Sequence, residues 1–324
     1  MNVLVYGAGV IGGQLAHTLC ALGHDVTVVA RGAWAETLRQ SGLRIRHYVQ
    51  RTDTVDHPRV LEAPDDGAYD IVFAVMRYRQ MEAILPALAA IDSPLVVLVG
   101  NNLSAAEMER AVLSRTQAPK TVLFGFGSTA GRREDGRIVA VHTGDGKLTV
   151  GALHADASFA AKDTFARLFT GSKYAVSYCD DMDAWLKYHA AFILPIVYLS
   201  YATGCDLRGA SRAQRAVLLD AAGDAYGLLM KLGCPVRPVG DEEYLKPGVK
   251  RGMAAAMMLA AAKTKLGALC TTEHCRHAPE EMEALDRAFL ALRAGAPDFS
   301  MPAFDRLRDM TPPWEEIRRT YGGV

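Results

Sequence analysis

The chain has 324 residues, enough for one large or two medium domains with a substantial core. Half of it is hydrophobic, and 36 basic residues balance 36 acidic ones. That balance leaves no electrostatic footprint for nucleic acid or an anionic membrane and excludes functions that depend on one.

The first elements are the most informative. An apolar run from Val3 to Tyr6 opens into Gly7-Ala8-Gly9-Val10-Ile11-Gly12. A helical spacing follows (Leu15, Leu19, Leu22), then a second apolar run from Val26 to Ala30. Strand, Gly-rich turn, helix and strand form the context in which G-x-G-x-x-G reads as a dinucleotide fingerprint. Gly7 permits the tight turn, Gly9 lets the backbone approach a pyrophosphate, and Gly12 lets helix pack on strand. A helix starting near Val10 aims its N–H groups at the phosphates. The residue closing the second strand selects the cofactor, because an acid there binds the ribose hydroxyl of NAD. This chain has Arg31 instead. A guanidinium suits a 2′-phosphate, so the expected cofactor is NADP(H).

The N-terminus lacks a basic leader segment, and its apolar run leads into a nucleotide turn, not a cleavage site. The most apolar later stretch, Ala184 to Tyr201, is interrupted by Lys187, His189 and Pro195 and reads as a buried helix. Six scattered cysteines are expected to be reduced thiols. The expected location is the cytoplasm.

Tyr69 to Val75 and Pro94 to Val99 read as continuously apolar strands of a parallel sheet, with a helix from Met81 to Ala90 between them. Lys120 to Phe126 is a further strand. Arg137 to His142 and Leu148 to Ala152 flank Thr143-Gly144-Asp145-Gly146, which predicts a hairpin and an antiparallel end to the sheet. After about Ala175 helical patterns take over: Asp183 to Tyr201, Arg212 to Leu232, Gly252 to Leu266 and Glu280 to Arg293. Pro235, Pro238 and Pro247 mark a loop between the second and third. The predicted fold is α/β. A Rossmann-like dinucleotide-binding domain occupies residues 1–176, and an all-helical substrate and dimerisation domain occupies 177–324, with a hinge at Tyr178 to Asp181. A substrate then sits in the cleft between them.

Candidate chemistry follows from that placement. Asn101 and Asn102 follow the strand ending at Val99-Gly100; an amide there can hold a ribose or substrate oxygen, or serve a turn. Lys187 has almost entirely apolar neighbours, so it either snorkels or has a buried task such as donating a proton to a ketone oxygen. His189 is a competing acid on another face of the helix. Glu280, Glu281 and Glu283 open a helix after Pro279, where the helix dipole alone favours acids, though one can face the cleft. Cys270, His274, Cys275 and His277 do not follow a zinc spacing, and no metal is expected.

Together these features resemble the ketopantoate reductase family, the NADPH-dependent 2-dehydropantoate 2-reductases. The marks are GAGVIGG, Arg31, the strand-end Gly100-Asn101-Asn102, the Gly-rich run from Gly125 to Gly144, Trp185-Leu186-Lys187, and the acidic helix ahead of Ser300-Met301-Pro302. The resemblance implies that Lys187 is the general acid and that Asn101 contacts cofactor and substrate. It also implies that Glu281, or Glu280 with a one-residue shift, is the active-site glutamate. Arg77 stands in the place of a cofactor-contacting lysine. Two asparagines expected on the lysine helix are replaced in the stretch holding Ala191 and Leu194-Pro195. A serine expected before the acidic helix has no match in the Ala/Met/Leu-rich run Met253 to Ala262. The implied reaction is reduction of a ketopantoate-like 2-keto acid. The alternatives are a less polar ketone on the same fold, or a non-catalytic NADP(H)-binding sensor; a homodimer is possible.

Overall fold

In the computed structural model, which describes residues 1–322, the chain divides after Met182 into two units. The first is α/β. Its elements are β1 (Asn2–Tyr6), α1 (Val10–Ala21), β2 (Asp25–Val29), α2 (Gly32–Ser41), β3 (Leu43–His47), β4 (Thr52–Asp56), β5 (Arg59–Leu61) and β6 (Ile71–Val75). They continue with α3 (Tyr78–Ala90), β7 (Leu95–Val99), α4 (Ala105–Leu113), β8 (Thr121–Gly127), β9 (Ala130–Glu134), β10 (Arg137–Val141), β11 (Lys147–Gly151), α5 (Phe159–Leu168) and β12 (Ala175–Tyr178). The main sheet runs β12-β11-β8-β7-β6-β1-β2-β5 and is parallel throughout except at the β8–β11 pair. Every residue of β6 and β7 is buried, which is why both read as unbroken apolar runs.

A smaller sheet runs β4-β3-β10-β9 and packs on α1. The approach is close enough that a Cβ on Gly13 would lie 2.3 Å from Ile138 Cδ1. Contact with both sheets buries Leu15, Ala16 and Leu19 on one side of α1 and Gly13 on another.

The predicted hairpin across Thr143 to Gly146 is not formed. β10 pairs with β9 and β3 in the small sheet, whereas β11 pairs with β8 and β12 in the main sheet. The four-residue turn carries the chain from one sheet to the other. The tight hairpin lies earlier, between β9 and β10, where Asp135 (φ 47°) and Gly136 (φ 70°) both adopt left-handed backbone. That is the Asp-Gly signature of a two-residue turn.

The second unit is helical: α6 (Met182–Ala202), α7 (Arg212–Lys231), α8 (Val249–Lys263), α9 (Lys265–Cys270), α10 (Thr272–His277), α11 (Pro279–Arg293), α12 (Pro302–Asp309) and α13 (Trp314–Tyr321). Tyr188, Tyr198, Phe289 and Phe304 are its fully buried large side chains. Asp224 of α7 accepts the backbone N–H groups of Ala303 and Phe304 at 2.7 and 3.1 Å, tying α12 down at its first turn.

Helix α11 carries three buried carboxylates, Glu281, Glu283 and Asp286. Asp286, 1% exposed, accepts from Tyr198 at 2.5 Å, Trp314 Nε1 at 2.9 Å and Arg308 Nε at 3.3 Å. Glu283 pairs with Arg287 at 2.5 Å and with Arg318 of α13. These acids are core residues with dedicated partners, beyond what a dipole preference explains. No described helix is long and apolar enough to cross a membrane.

Candidate functional site

The carboxyl ends of β1, β6 and β7 meet at the glycine turn. Gly7 has φ 113°, and a Cβ there would lie 2.1 Å from the Val75 carbonyl oxygen. A Cβ on Gly12 would lie 1.9 Å from the Gly7 carbonyl oxygen, so α1 can start only where both positions lack a side chain. Gly9 differs: nothing stands within 4 Å of the place its Cβ would take. It is the N-cap of α1, without a side-chain cap, so the first-turn N–H groups face an open approach. Ala8 is buried and its carbonyl accepts from Trp34 Nε1 at 2.7 Å. Val10 and Ile11 are half-buried, and a Cβ on Gly127 would lie 2.5 Å from Ile11 Cγ2. The cradle thus has bare backbone on one side and packed aliphatic residues on the other. Its bare backbone and first-turn N–H groups fit a pyrophosphate.

Three arginines surround this turn. Arg31 is exposed at the N-cap of α2 and acts electrostatically on Tyr6 at the end of β1, whose phenol burial pushes up. Arg77 caps α3 just beyond β6. Arg133, from the small sheet, lies 5.1 Å over the Trp34 ring. Desolvation, and then the charge of Arg77, holds the Arg133 guanidinium below its usual range. Among the described residues none of the three forms an ion pair. Clustered unpaired guanidiniums are costly without an anion, and a doubly or triply phosphorylated ligand supplies one. Sequence patterns missed Trp34 and Arg133. Arg133 enters from the small sheet, about 120 residues after the turn, and no spacing rule connects them.

At the end of β7, Gly100 (φ 149°) would place a Cβ 2.8 Å from the Met76 carbonyl oxygen, setting Asn101 beside the β6 end that carries Arg77. Asn101 is half-buried. Asn102 serves the fold: its Oδ1 accepts from Ser104 N at 2.8 Å, opening α4, and its Nδ2 donates to Met108 Sδ.

In the helical unit, Lys187 Nζ lies 2.5 Å from Asp183 Oδ2, one turn earlier on α6, with both side chains 17% exposed. The lysine is therefore neither buried alone nor snorkelled. His189 stacks on Trp185 with ring centroids 5.1 Å apart. Burial, and then the neighbouring His274, push His189 down to about 4, which leaves it neutral near pH 7 and a poor proton donor. Glu281 is buried and Glu280 is exposed. Glu281 Oε2 lies 3.2 Å from Nε2 of the half-exposed His274. Ala191 and Leu194 are wholly buried, so these positions build the core of the helical unit. The apolar run of α8, by contrast, is open, with Met253 at 55% and Met257 at 64% exposure. The ligating atoms of Cys270, His274, Cys275 and His277 do not converge on a common point.

A parallel sheet with a glycine cradle and a basic rim at its carboxyl edge places the first unit in the Rossmann-like class of α/β folds. Residues 3–155, just under half of the chain, match the family described as Ketopantoate reductase PanE/ApbA, and beyond them the likeness is one of fold. A 2-dehydropantoate 2-reductase of Mesorhizobium japonicum is 30% identical over 115 residues, 35% of this chain and 32% of the relative. The matched segments span less than a third of the curated relatives. The crystal structure of 2-dehydropantoate 2-reductase from Geobacter metallireducens GS-15 superposes with TM-score 0.75 at 17% identity, covering 96% of this chain and 98% of that one. A D-mandelate dehydrogenase solved with NADH and anilino(oxo)acetate superposes with TM-score 0.74 at 13% identity, covering 99% and 100%.

Proposed function

We propose that the chain is an NADPH-dependent reductase that converts a ketopantoate-like 2-keto acid to the 2-hydroxy acid in the cytoplasm. The observation that carries the cofactor choice is the unpaired trio Arg31, Arg77 and Arg133 around the glycine turn, with no acid at the end of β2. Gly7, Ala8, Gly9, Val10, Ile11 and Gly12 form the pyrophosphate cradle. Arg31 and Arg133 take the 2′-phosphate, and Arg77 takes the phosphate nearer the nicotinamide. When bound, the nicotinamide supplies a hydride to the carbonyl carbon. Lys187 donates a proton from Nζ to the oxygen that becomes the hydroxyl, and Asp183 holds that ammonium in place. Asn101 orients the ribose and substrate oxygen, and Glu281 accepts a substrate hydroxyl. The neutrality of His189 supports giving the acid role to Lys187.

The test is loss of reduced-nicotinamide absorbance with ketopantoate and a panel of 2-keto acids. Lys187→Ala is expected to lower kcat by about 10²–10⁴-fold, the range for a general acid. Turnover at the wild-type rate would remove Lys187 from the mechanism. A second reading, reduction of a bulkier and less polar ketone, draws support from the open Met253 and Met257 of α8 and from the aromatic oxoacid in the D-mandelate dehydrogenase structure. It predicts a higher kcat/KM for aryl oxoacids than for ketopantoate. No turnover with any panel member would favour a non-catalytic NADP(H)-binding role.

A further inference from the structure

A cavity lies in the first unit, along α1 beyond the glycine turn. It holds about 310 Å³ and is lined by Gln14, His17 and Thr18 of α1, His47 and Thr54 of the β3–β4 hairpin, and His142 beyond β10. Four of these polar side chains are nearly sealed from solvent: Gln14, Thr18, His47 and His142 are 1%, 3%, 4% and 5% exposed. Burying that much hydrogen-bonding capacity is costly unless it is used.

The hydrogen-bond chain fixes its own protons. His142 Nδ1 lies 3.0 Å from the Gly144 carbonyl oxygen, which only accepts, so Nδ1 carries the hydrogen and Nε2 of the neutral ring accepts. His47 Nδ1, 2.8 Å from that Nε2, therefore donates, and His47 Nε2 accepts from the Thr54 hydroxyl at 2.8 Å. A proton added at His142 Nε2 would face the His47 N–H directly. Burial, and then the His17 and His142 rings, push His47 down to about 4, and burial lowers His142 as well. Both rings are neutral at neutral pH.

The surrounding charges are already engaged. Asp56 Oδ2 lies 2.7 Å from His17 Nδ1, Asp53 pairs with Arg46 at 2.6 Å, and the Asp145 carboxylate accepts the Lys173 backbone N–H at 2.6 Å. No lysine or arginine lines the cavity. One group is left over. Gln14 Nε2 donates to the Asp145 carbonyl at 3.0 Å and to Thr18 Oγ1 at 3.4 Å, while its buried Oε1 has no hydrogen-bond partner. A buried acceptor without a donor costs about 1–3 kcal/mol.

We infer that this cavity binds a small uncharged molecule bearing several hydroxyl groups, one of which donates to Gln14 Oε1. An anion would meet the neutral His47 and His142 rings and nearby carboxylates, with no lysine or arginine on the wall to receive it. A cation would find those carboxylates engaged. An apolar molecule would strip the imidazoles, amide and hydroxyls of water without replacing their bonds. A hydroxyl both donates and accepts, which matches a wall of ring nitrogens, threonines and a lone amide oxygen. The site stands apart from the reduction proposed above and does not depend on it.

The test is nitrogen NMR of the histidine side chains at neutral pH, titrating the full chain with glycerol, D-ribose and myo-inositol, against phosphate and methylammonium. At least one polyol is expected to shift the His47 and His142 resonances saturably, and the charged compounds are not. Gln14→Leu, which removes the orphan acceptor, is expected to weaken that binding at least tenfold while the chain still melts cooperatively. If that variant does not fold, Gln50→Ala replaces it. Gln50 is exposed and its amide bonds the His142 and Gly144 carbonyls at the cavity rim, so the same polyol should bind more weakly to this variant. The inference fails if no polyol gives a saturable shift, since ordered water then fills the cavity. It fails also if phosphate or methylammonium binds as well as the polyols, or if affinity is unchanged in the folded variant.

Discussion

Alanine at Gly12 and alanine at Gly9 probe the cradle from opposite sides. The Gly12→Ala methyl would start 1.9 Å from the Gly7 carbonyl oxygen and 3.3 Å from Val75 Cβ, where real Cβ atoms essentially never come within 3.0 Å. Helix α1 must therefore back away by roughly 1 Å, a shift its packing resists. Leu15, Ala16 and Leu19 are 2%, 0% and 0% exposed, and Gly13 already touches Ile138. Overpacking of this kind costs about 1–3 kcal/mol. For a unit the size of Met1–Met182 that corresponds to a fall in Tm of roughly 2–10 °C. NADPH affinity should fall at least tenfold with it, because the first-turn N–H groups move with the helix. Gly9→Ala meets no atom within 4 Å and has an ordinary φ of −73°, so its Tm should stay within about 1 °C of wild type. Its methyl nonetheless occupies the approach a pyrophosphate must use, and NADPH Kd should rise by an order of magnitude or more. Scanning calorimetry and titration of NADPH fluorescence read the two quantities separately. Wild-type NADPH affinity in Gly9→Ala would refute the cradle, and a wild-type melt in Gly12→Ala would refute the packing argument.

Arg133→Ala and Arg31→Ala should each weaken NADPH binding by roughly 10–100-fold, the worth of a charge-assisted hydrogen bond, and leave NADH binding nearly unchanged. Equal losses for both cofactors would place these arginines on the shared pyrophosphate. Asp183→Asn is expected to lower kcat by about tenfold with KM for NADPH unchanged, and wild-type turnover would make the Lys187 ion pair purely structural. His47 is held near 4 in the folded chain, below its unfolded value near 6.5, so the folded state binds fewer protons between those values. Its contribution, on the order of 3 kcal/mol, is complete above pH 6.5 and disappears as pH falls toward 4. Thermal melts between pH 7.5 and 4.5 should show a slope to which His47 and His189 contribute alike, and His47→Gln should roughly halve it.

The glycine turn was legible because each of its conformational requirements is local. Positive φ at Gly7, contact at Gly12 and the strands on either side all lie within thirty residues. The Thr143 to Gly146 turn misled for the converse reason: a turn sequence specifies a reversal of the chain, not which strand waits on the far side. With two sheets stacked around α1, β10 and β11 find partners elsewhere. Asp135-Gly136 carried the true hairpin signal. Ala191 and Leu194 stand in the stretch where the resemblance expects asparagines, and the sequence could not show that both are wholly buried. Arg133, Trp34 and the pairing of Glu281 with His274 depend on contacts between elements distant in sequence.

The buried acids of α11 carry an evolutionary consequence. Glu283 is clamped by Arg287 and Arg318, and Asp286 by Tyr198, Trp314 and Arg308, so the rotation of this helix is fixed by partners on α6, α12 and α13 as well as its own neighbour. Glu281 stands two residues before the first clamp and inherits its bearing from them. A lineage free to vary the open face of α8 is less free to lose Arg318 or Trp314. Either loss would take one partner from a buried carboxylate and loosen the hold on α11. The C-terminal helices act as the keel of the acidic helix, and a substitution there would be felt at Glu281 without touching it.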